Sequence, residues 1–194
     1  MVAALAMTEP GTGSDLQAVT TSAVKDGNHY RINGSKTFIT NGQSADLICL
    51  VAKTDKKQGA RGVSLIMVET DGLEGFRRGR NLKKIGLKSQ DTSELFFDNV
   101  KVHQTHLLGA EEVQGCYQLM KQLPWERLYI GITALGSMDC ALEETTRYVQ
   151  ERKAFGQRVM DFQNTRFTLA EIKTKIEVTP VSYTHLTLPT ILLV

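Results

Sequence analysis

The sequence predicts an α+β protein in which an antiparallel β-barrel or sandwich comes first and helices that begin a bundle follow. One observation is that short apolar runs between about residues 19 and 97 are separated by Asp-Gly and Asn-Gly pairs, which favour β-hairpins. Another is that apolar residues beyond Gly109 recur at helical spacing. We therefore expect a β-rich domain over residues 1–108 and part of a helical bundle over residues 109–179.

Turn residues bound each predicted strand. Turns are expected at Asp26-Gly27, Asn33-Gly34 and Asn41-Gly42, because these residues tolerate the backbone angles of tight turns. The continuously apolar run from Leu47 to Val51 indicates a strand that is covered on both faces. The other predicted strands are residues 23–25, 30–32, 36–40, 63–68 and 94–97.

A basic cluster interrupts the β-rich half. Its members are Arg77, Arg78, Arg80, Lys83, Lys84 and Lys88. A solvated loop would explain these residues, and so would attraction for a phosphorylated ligand. The residue types alone leave both interpretations open.

Proline and glycine divide the helical half. A first amphipathic stretch runs from Glu111 to Leu123, and Pro124 is expected to kink the helix or to begin a new turn. Gly156 is expected to end this run, and Asp161 is expected to cap a further helix.

The C-terminal residues 180–194 depart from this pattern. Pro180 is expected to cut the last helix while its apolar periodicity is still strong. The residues that follow carry no Asp, Glu, Lys or Arg and favour β structure. A C-terminal strand is one interpretation, and the one we favour is a tail that is foreign to the natural gene.

Composition restricts the class of protein. The chain has 194 residues, of which 41% are hydrophobic and 23% charged, as in soluble globular proteins. A net charge of +2 favours neither nucleic acid nor a membrane surface as a partner, and no run approaches the roughly 18 apolar residues of a membrane helix. The three cysteines form no CxxC pair, so we expect neither a metal site nor a disulfide framework, and a reducing compartment is indicated.

The loop from Leu5 to Asp15 offers groups that suit a polar ligand. Its hydroxyls and glycines would bring side chains and backbone amides close to such a ligand, although a simple turn after a strand has the same composition. A dinucleotide loop is excluded because Leu16 replaces its third glycine, and a P-loop is excluded because Gly13 is not followed by lysine. Because the chain starts so close to this loop, we expect that an N-terminal part is missing.

Six separated blocks of the sequence now line up in one order. They are Met7–Asp15, Asn33–Gly42, Gly86–Thr92, Phe97–Val102, Glu126–Arg127 and Arg152–Gln157. In this order and spacing they strongly resemble the acyl-CoA dehydrogenase family, over roughly residues 1–178. The resemblance is strongest to the isovaleryl-CoA and long-chain branches of the family.

The resemblance implies an architecture and an activity. Family members have an N-terminal helical domain, a middle β-domain and a C-terminal four-helix bundle, so this chain would hold the middle domain and about half of the bundle. It implies FAD as the cofactor, oxidation of an acyl-CoA thioester to the trans-2-enoyl-CoA, and an electron-transfer flavoprotein as the electron acceptor. The complete protein would be a homotetramer or homodimer in the bacterial cytoplasm or, in a eukaryote, the mitochondrial matrix, and the fragment would be inactive alone.

The resemblance also assigns residues to the flavin. Thr8 would hydrogen-bond the flavin, and Thr40 would lie near its N5 atom. Many family members carry Trp where this chain has Phe38, so the stacking face is smaller here. Arg152 and Gln163 match residues that reach the FAD of a neighbouring subunit; a helix-end cation and a surface amide are their plain interpretations. The full set of residues expected at the cofactor is Leu5, Met7, Thr8, Gly13, Ser14, Phe38, Ile39, Thr40, Arg152 and Gln163.

The resemblance places the catalytic base at Glu126. Most family members carry this glutamate late in the bundle, whereas the isovaleryl-CoA and long-chain branches carry it in a Glu-Arg pair like that of this chain. Glu126 would also suit the first turn of a helix, where a carboxylate favours the helix dipole, so the later position stays open as an alternative. The residues expected at the substrate are Ser14, Tyr117, Pro124, Trp125 and Arg127.

Two other functions stay open on the same residues. An acyl-CoA oxidase or a flavin monooxygenase of the same fold would react with oxygen, so hydrogen peroxide production would separate it from a dehydrogenase. A fragment without activity that still binds acyl-CoA is the alternative outside enzymes. The acyl chain that the site would accept is not readable from the sequence.

Overall fold

The computed structural model describes the backbone of residues 1–191 and the side chains of residues 1–181. The chain divides into two compact units, Met1–Lys121 and Gln122–Val194. We call them the β unit and the helical unit. The predicted boundary after residue 108 falls before this division.

Seven strands of the described chain form one sheet in the β unit. They are β1 (Ala3–Ala6), β2 (Ser22–Asp26), β3 (His29–Thr40), β4 (Leu47–Lys53), β5 (Val63–Glu69), β6 (Phe76–Asn81) and β7 (Thr92–His103). Short 3₁₀ helices in this unit are Leu16–Ala18, Lys56–Gly62 and Gln104–His106. The predicted class, a β-rich domain followed by helices, is confirmed.

The strand pairing is mixed, which corrects the expectation of a purely antiparallel barrel. β4 pairs antiparallel with β5, while β1 runs parallel to β4, and β2 meets β4 in a parallel bridge between Ser22 and Lys53. From β2 the order continues through β3 and β7 to β6 with antiparallel pairs. The sheet is therefore a curled half-barrel in which β6 ends one side and β4 pairs with β1, β2 and β5.

The three predicted turns have different outcomes. The hairpin at Asp26-Gly27 is confirmed, since Asp26 pairs with His29 and Gly27 has a φ of 61°. The turn at Asn33-Gly34 is wrong, because β3 runs through it with a bulge and both halves pair with β7. A Cβ at Gly34 would lie 2.4 Å from Thr21 Oγ1, so glycine is required there by close approach rather than by a reversal of the chain. Asn41-Gly42 does form a turn, but it leads into β4, which pairs with other strands.

The main core of the β unit lies on one face of β4, and a second cluster lies on the other. Ile48, Leu50 and Ala52 belong to the main core together with side chains from β3, β5 and β7. Val51 alternates to the opposite face, where it packs with Val19, Val63 and Leu65. The prediction of a strand covered on both faces is thus confirmed for residues 47–51.

The helical half contains two long helices, α1 (Gly115–Glu151) and α2 (Gln163–Ile191), with a short hairpin between them (β8, Lys153–Ala154, and β9, Gln157–Arg158) and a 3₁₀ turn (Val159–Asp161). α1 continues through Pro124, so the predicted kink or new turn does not divide it into two helices. It ends at Glu151, before the predicted stop at Gly156. None of the described helices is long and apolar enough to cross a membrane.

Two further predictions about α2 are wrong. Its backbone stays helical through Pro180 to Ile191, so Pro180 does not end it. Asp161 does not act as its cap, because the Asp161 carboxylate instead accepts two hydrogen bonds from the Arg158 guanidinium, at 2.9 and 3.0 Å. The origin of residues 180–194 stays a prediction, and residues 192–194 lie outside the described structure.

Candidate functional site

The loop that follows β1 is tightly folded by its own backbone. Glu9 and Thr12 exchange two backbone hydrogen bonds, of 2.9 and 3.1 Å, around Pro10 and Gly11. The Thr12 hydroxyl donates to the Asp15 carbonyl, and the Asp15 carboxylate caps the 3₁₀ helix that follows. The polar turn proposed for this stretch therefore exists and has a fixed shape.

The end of β3 carries the second group of residues expected at the cofactor. A bulge lies between Lys36 and Ile39, where the pairing with β7 shifts register. Phe38 lies in this bulge with a φ of 57° and with 67% of its side chain exposed. A left-handed backbone is costly for a bulky residue and clusters at functional sites. Ile39 is buried in the main core, whereas Thr40 is exposed.

These two segments lie side by side. The Thr37 amide donates to the Thr8 carbonyl at 2.9 Å, directly before Phe38. Just after the end of β3, the side-chain amide of Asn41 donates to the Ala3 carbonyl at 3.1 Å. The stretch from Ala3 to Thr8 is therefore tied at both ends to the stretch from Thr37 to Asn41. Residues that are far apart in sequence form one continuous surface.

This surface fits a planar cofactor ring with polar edges. Phe38 offers an exposed aromatic face, with the half-buried Thr8 and the exposed Thr40 on the two connected segments. Cβ atoms built at Gly11 and Gly13 would meet no atom within 4 Å, so the backbone of the loop borders open space. Ser14 is exposed on the same loop, whereas Leu5 and Met7 are half-buried against the second hydrophobic cluster.

Sequence reasoning missed the charged pair beneath this surface. Lys36 and Glu9 form an ion pair of 2.9 Å with side chains that are 0% and 4% exposed. The turn expected at Asn33-Gly34 hid the signal. On the continuous β3, Lys36 lies an even number of residues from the buried Tyr30 and Ile32 and so falls on the inward face. A lysine on an inward face requires a buried partner.

Apart from Ser14, the residues expected at the substrate, and the expected base Glu126, stand on α1. Tyr117 belongs to the β unit and is 61% exposed. Pro124, Trp125, Glu126 and Arg127 are all exposed and belong to the helical unit. The described chain by itself therefore leaves the Glu126 carboxylate open to water.

Arg152 and Gln163 also belong to the helical unit. Arg152 directly follows α1, and Gln163 is the first residue of α2. Both side chains are exposed. Their accessibility agrees with a role toward another molecule but does not identify that molecule.

The three arginines of the basic cluster contact other groups of this chain. The Arg78 guanidinium donates to the carbonyls of Gly42 and Ala45 and to the Thr70 hydroxyl. Arg77 stacks over the Phe96 ring at 4.2 Å. Arg80 forms an exposed ion pair with Glu94. These three arginines lie on β6, so the solvated-loop interpretation is wrong for them, and their contacts are structural.

A large cavity of the β unit lies away from the residues expected at the cofactor and the substrate. Its volume is about 910 Å³, and its lining includes His29, Asp71, His103 and His106. None of the residues expected at the cofactor or the substrate lines it. The candidate site is thus separate from this cavity.

Known proteins resemble this chain along nearly its whole length. Residues 4–100 match the family profile described as "Acyl-CoA dehydrogenase, middle domain", and residues 113–184 match "Acyl-CoA dehydrogenase, C-terminal domain". The long-chain specific acyl-CoA dehydrogenase of Sus scrofa mitochondria is 51% identical over 180 residues, which cover 92% of this chain and 41% of that protein. The Caffeyl-CoA reductase-Etf complex subunit CarC of Acetobacterium woodii is 41% identical over 174 residues, covering 90% of this chain and 45% of that protein.

A solved structure shows the same fold. The acyl-CoA dehydrogenase of Geobacillus kaustophilus is 49% identical and superposes with a TM-score of 0.92, over 96% of this chain and 49% of that one. The chain thus spans about half or less of the length of the relatives it matches. Both family profiles together cover most of its residues, in the expected order. This chain belongs to the acyl-CoA dehydrogenase family.

Proposed function

We propose that the protein containing this chain is an FAD-dependent acyl-CoA dehydrogenase. It would oxidise an acyl-CoA thioester to the 2-enoyl-CoA and pass the electrons to an electron-transfer flavoprotein. The observation that carries the proposal is the surface formed by Thr8, Phe38 and Thr40, in which the strained and exposed aromatic residue lies beside two hydroxyls. Family membership supports the same reaction.

The β unit would bind and orient the cofactor. Thr8 would hydrogen-bond the polar edge of the flavin, and Phe38 and Thr40 would cover one of its faces. Ser14, exposed at the far end of the loop, would contact the substrate. When bound, FAD supplies the hydride acceptor of the reaction.

The helical unit would supply the base. The Glu126 carboxylate would take the proton from the α-carbon of the thioester, while Tyr117, Pro124, Trp125 and Arg127 would line the substrate path. A carboxylate is a poor base in water, so the site must exclude solvent from it. Glu126 is exposed in the described chain, so this exclusion requires groups beyond those described.

The cross-subunit role of Arg152 and Gln163 is part of the proposal. An arginine fork suits the two phosphates of a dinucleotide, and both residues are accessible at the surface. They would reach the FAD of a neighbouring subunit in a homodimer or homotetramer. The Acetobacterium woodii relative is named as a subunit of a complex with Etf, which supports an electron-transfer flavoprotein as the partner. The Sus scrofa relative is named as mitochondrial, which supports a mitochondrial location in a eukaryote, with the cytoplasm as the proposed bacterial counterpart.

The test is anaerobic titration of the protein expressed from its complete reading frame. We expect stoichiometric FAD whose visible absorbance is bleached by acyl-CoA and restored by an electron-transfer flavoprotein. In air, turnover should produce little hydrogen peroxide. Rapid peroxide formation would instead identify an oxidase, and a protein without flavin would contradict the proposal altogether.

A further inference from the structure

The buried ion pair between Glu9 and Lys36 lies directly beneath the candidate cofactor surface. Lysine and glutamate are rarely fully buried, because removing a charge from water is costly unless it is paired and hydrogen-bonded. Here the two side chains are almost completely inaccessible, and their charged atoms are 2.9 Å apart. The burial of this pair therefore needs an explanation other than the weak attraction between charges at a protein surface.

Both charged groups are extensively hydrogen-bonded. One Glu9 oxygen accepts from the Thr20 amide at 2.7 Å and from the Thr20 hydroxyl at 2.6 Å. The other accepts from the Thr21 amide at 2.9 Å and from Lys36. Burial would raise the pKa of Glu9, but these hydrogen bonds outweigh it and hold that pKa well below its usual range. Both partners are therefore charged near neutral pH, although burial lowers the pKa of Lys36.

Net stability does not explain the pair well. Buried ion pairs contribute little more than apolar residues of similar volume, because desolvation offsets much of the attraction. What a buried pair does supply is a directional connection between fixed points of the chain. The role of the pair can therefore be inferred from the atoms that it connects.

Those atoms belong to the two segments expected at the flavin. The Lys36 ammonium also donates to the Met7 carbonyl at 2.8 Å. The next residue, Thr37, donates its amide to the Thr8 carbonyl, and Phe38 follows in its left-handed conformation. Lys36 thus connects the backbone before Thr8 with the bulge that presents Phe38.

We propose that Glu9 and Lys36 are a positioning pair, which holds Thr8 and Phe38 in the arrangement that receives the flavin. This inference rests on the proposed function. Glu9 holds the Lys36 ammonium through the ion pair, and the ammonium in turn holds the Met7 carbonyl next to the start of the bulge. Neither side chain is accessible to the cofactor, so both act through Thr8 and Phe38.

The test separates positioning from the cost of an unpaired charge. Lys36→Met removes the ammonium and leaves Glu9 buried without its partner. Glu9→Gln combined with Lys36→Met removes both charges, so the unpaired carboxylate is gone but the Met7 carbonyl still lacks its donor. Arg80→Met is the matched control, because it breaks an exposed ion pair of the same unit.

FAD affinity and thermal unfolding are measured on the complete protein. We expect Lys36→Met to lower both, and the double variant to regain thermal stability while its FAD affinity stays weaker by about tenfold or more, the scale of one hydrogen bond to a charged group. Arg80→Met should change neither. If the double variant recovers FAD affinity together with stability, the pair is structural only and the inference is wrong. Should Lys36→Met fail to fold, the double variant carries the same test.

Amide hydrogen exchange on the 194-residue chain gives a readout that needs no flavin. In the double variant the Thr37 amide should exchange about tenfold faster or more, while amides of the β4–β5 ladder keep their rates, because only the local connection is lost. Uniform acceleration, or none, would contradict positioning. If the complete parent protein binds no FAD, the proposed function fails, and this exchange measurement still decides whether the pair holds the two segments together.

Discussion

The β unit and the helical unit differ in how they treat their apolar side chains. In the β unit a contiguous set of side chains from β1 to β7 is buried, and several are completely inaccessible. Among the described side chains of the helical unit, only Val149 and Ile176 are buried apolar residues. Large apolar side chains such as Tyr129, Ile130 and Phe155 are instead exposed there.

The residues of the candidate site also differ between the two units. In the β unit, Thr8 and Phe38 are fixed by backbone hydrogen bonds and by a buried ion pair. In the helical unit, Glu126 and Arg152 stand exposed on or beside a helix. The difference teaches that the β unit determines its own site geometry, while the helical residues need further groups to become a site.

The largest expected effect concerns retention of FAD. We predict that the 194-residue chain does not hold FAD tightly, because Arg152 and Gln163 are exposed and match residues that serve a neighbouring subunit. Flavin absorbance after gel filtration measures this, with the complete protein as the control that elutes yellow. Elution with stoichiometric flavin would contradict this prediction, because it would show that these 194 residues suffice to hold FAD.

The next prediction compares the two units by truncation of one isoleucine in each. Ile66 on β5 is completely buried, so Ile66→Ala should lower the free energy of unfolding by about 2–5 kcal/mol. Ile130 on α1 is 67% exposed, so Ile130→Ala should change it by no more than about 0.5 kcal/mol. Urea denaturation of the chain measures both, and equal losses would contradict the contrast between the units.

The third prediction concerns acid. Burial raises the pKa of Glu9, but hydrogen bonds from Thr20, Thr21 and Lys36 lower it to about 2, compared with an ordinary value of 4.5. Between these values the unfolded chain binds more protons than the folded chain, so the stability of the β unit should fall as the pH drops from about 4.5 toward about 2. Urea denaturation across this range checks the slope, and Glu9→Gln should flatten it. An unchanged slope in that variant would assign the acid sensitivity to other groups.

The smallest effect concerns the strain at Phe38. Glycine tolerates a φ of 57°, so Phe38→Gly should raise the free energy of unfolding by up to about 1 kcal/mol while weakening FAD binding by the complete protein. Val24 is the matched control, since it is an exposed residue of β2 that is absent from the positive-φ positions. Val24→Gly should destabilise the chain. Destabilisation by both substitutions would mean that the bulge stores no strain.

Much of the fold was predictable because local patterns determine it. The apolar run from Leu47 to Val51 needs two covered faces, and Asp26-Gly27 needs no partner to form its turn. Asn33-Gly34 has equally strong turn chemistry, but β7 pairs with β3 on both sides of it and keeps the strand extended. The pairing with β7 outweighed the local turn preference of Asn33-Gly34, and a short stretch of sequence does not reveal that pairing.

The residues of the candidate site were predictable from the sequence, but the contacts that hold them in place were not. The resemblance to the family predicts that Thr8 and Phe38 lie at one site, but it does not predict the hydrogen bonds that connect their segments. The left-handed backbone of Phe38 depends on the bulge opposite β7, and the burial of Glu9 depends on Thr20 and Thr21, which the local sequence does not reveal.

The central claim is that the helical unit supplies the base and the β unit supplies the cofactor surface. Glu126→Gln in the complete protein separates the two, because it keeps the size of the side chain and removes its basic carboxylate. The measurement is the rate at which acyl-CoA reduces the bound flavin under anaerobic conditions. Glu143→Gln is the matched control, an exposed glutamate on the same helix.

We predict that Glu126→Gln retains its flavin and its affinity for acyl-CoA, while flavin reduction slows by about 10²–10⁴-fold, the usual contribution of a general base. Glu126→Asp should keep part of the activity, and Glu143→Gln should match the parent. Reduction of the Glu126→Gln flavin at nearly the parental rate would contradict the claim and would assign the base to a glutamate outside this chain.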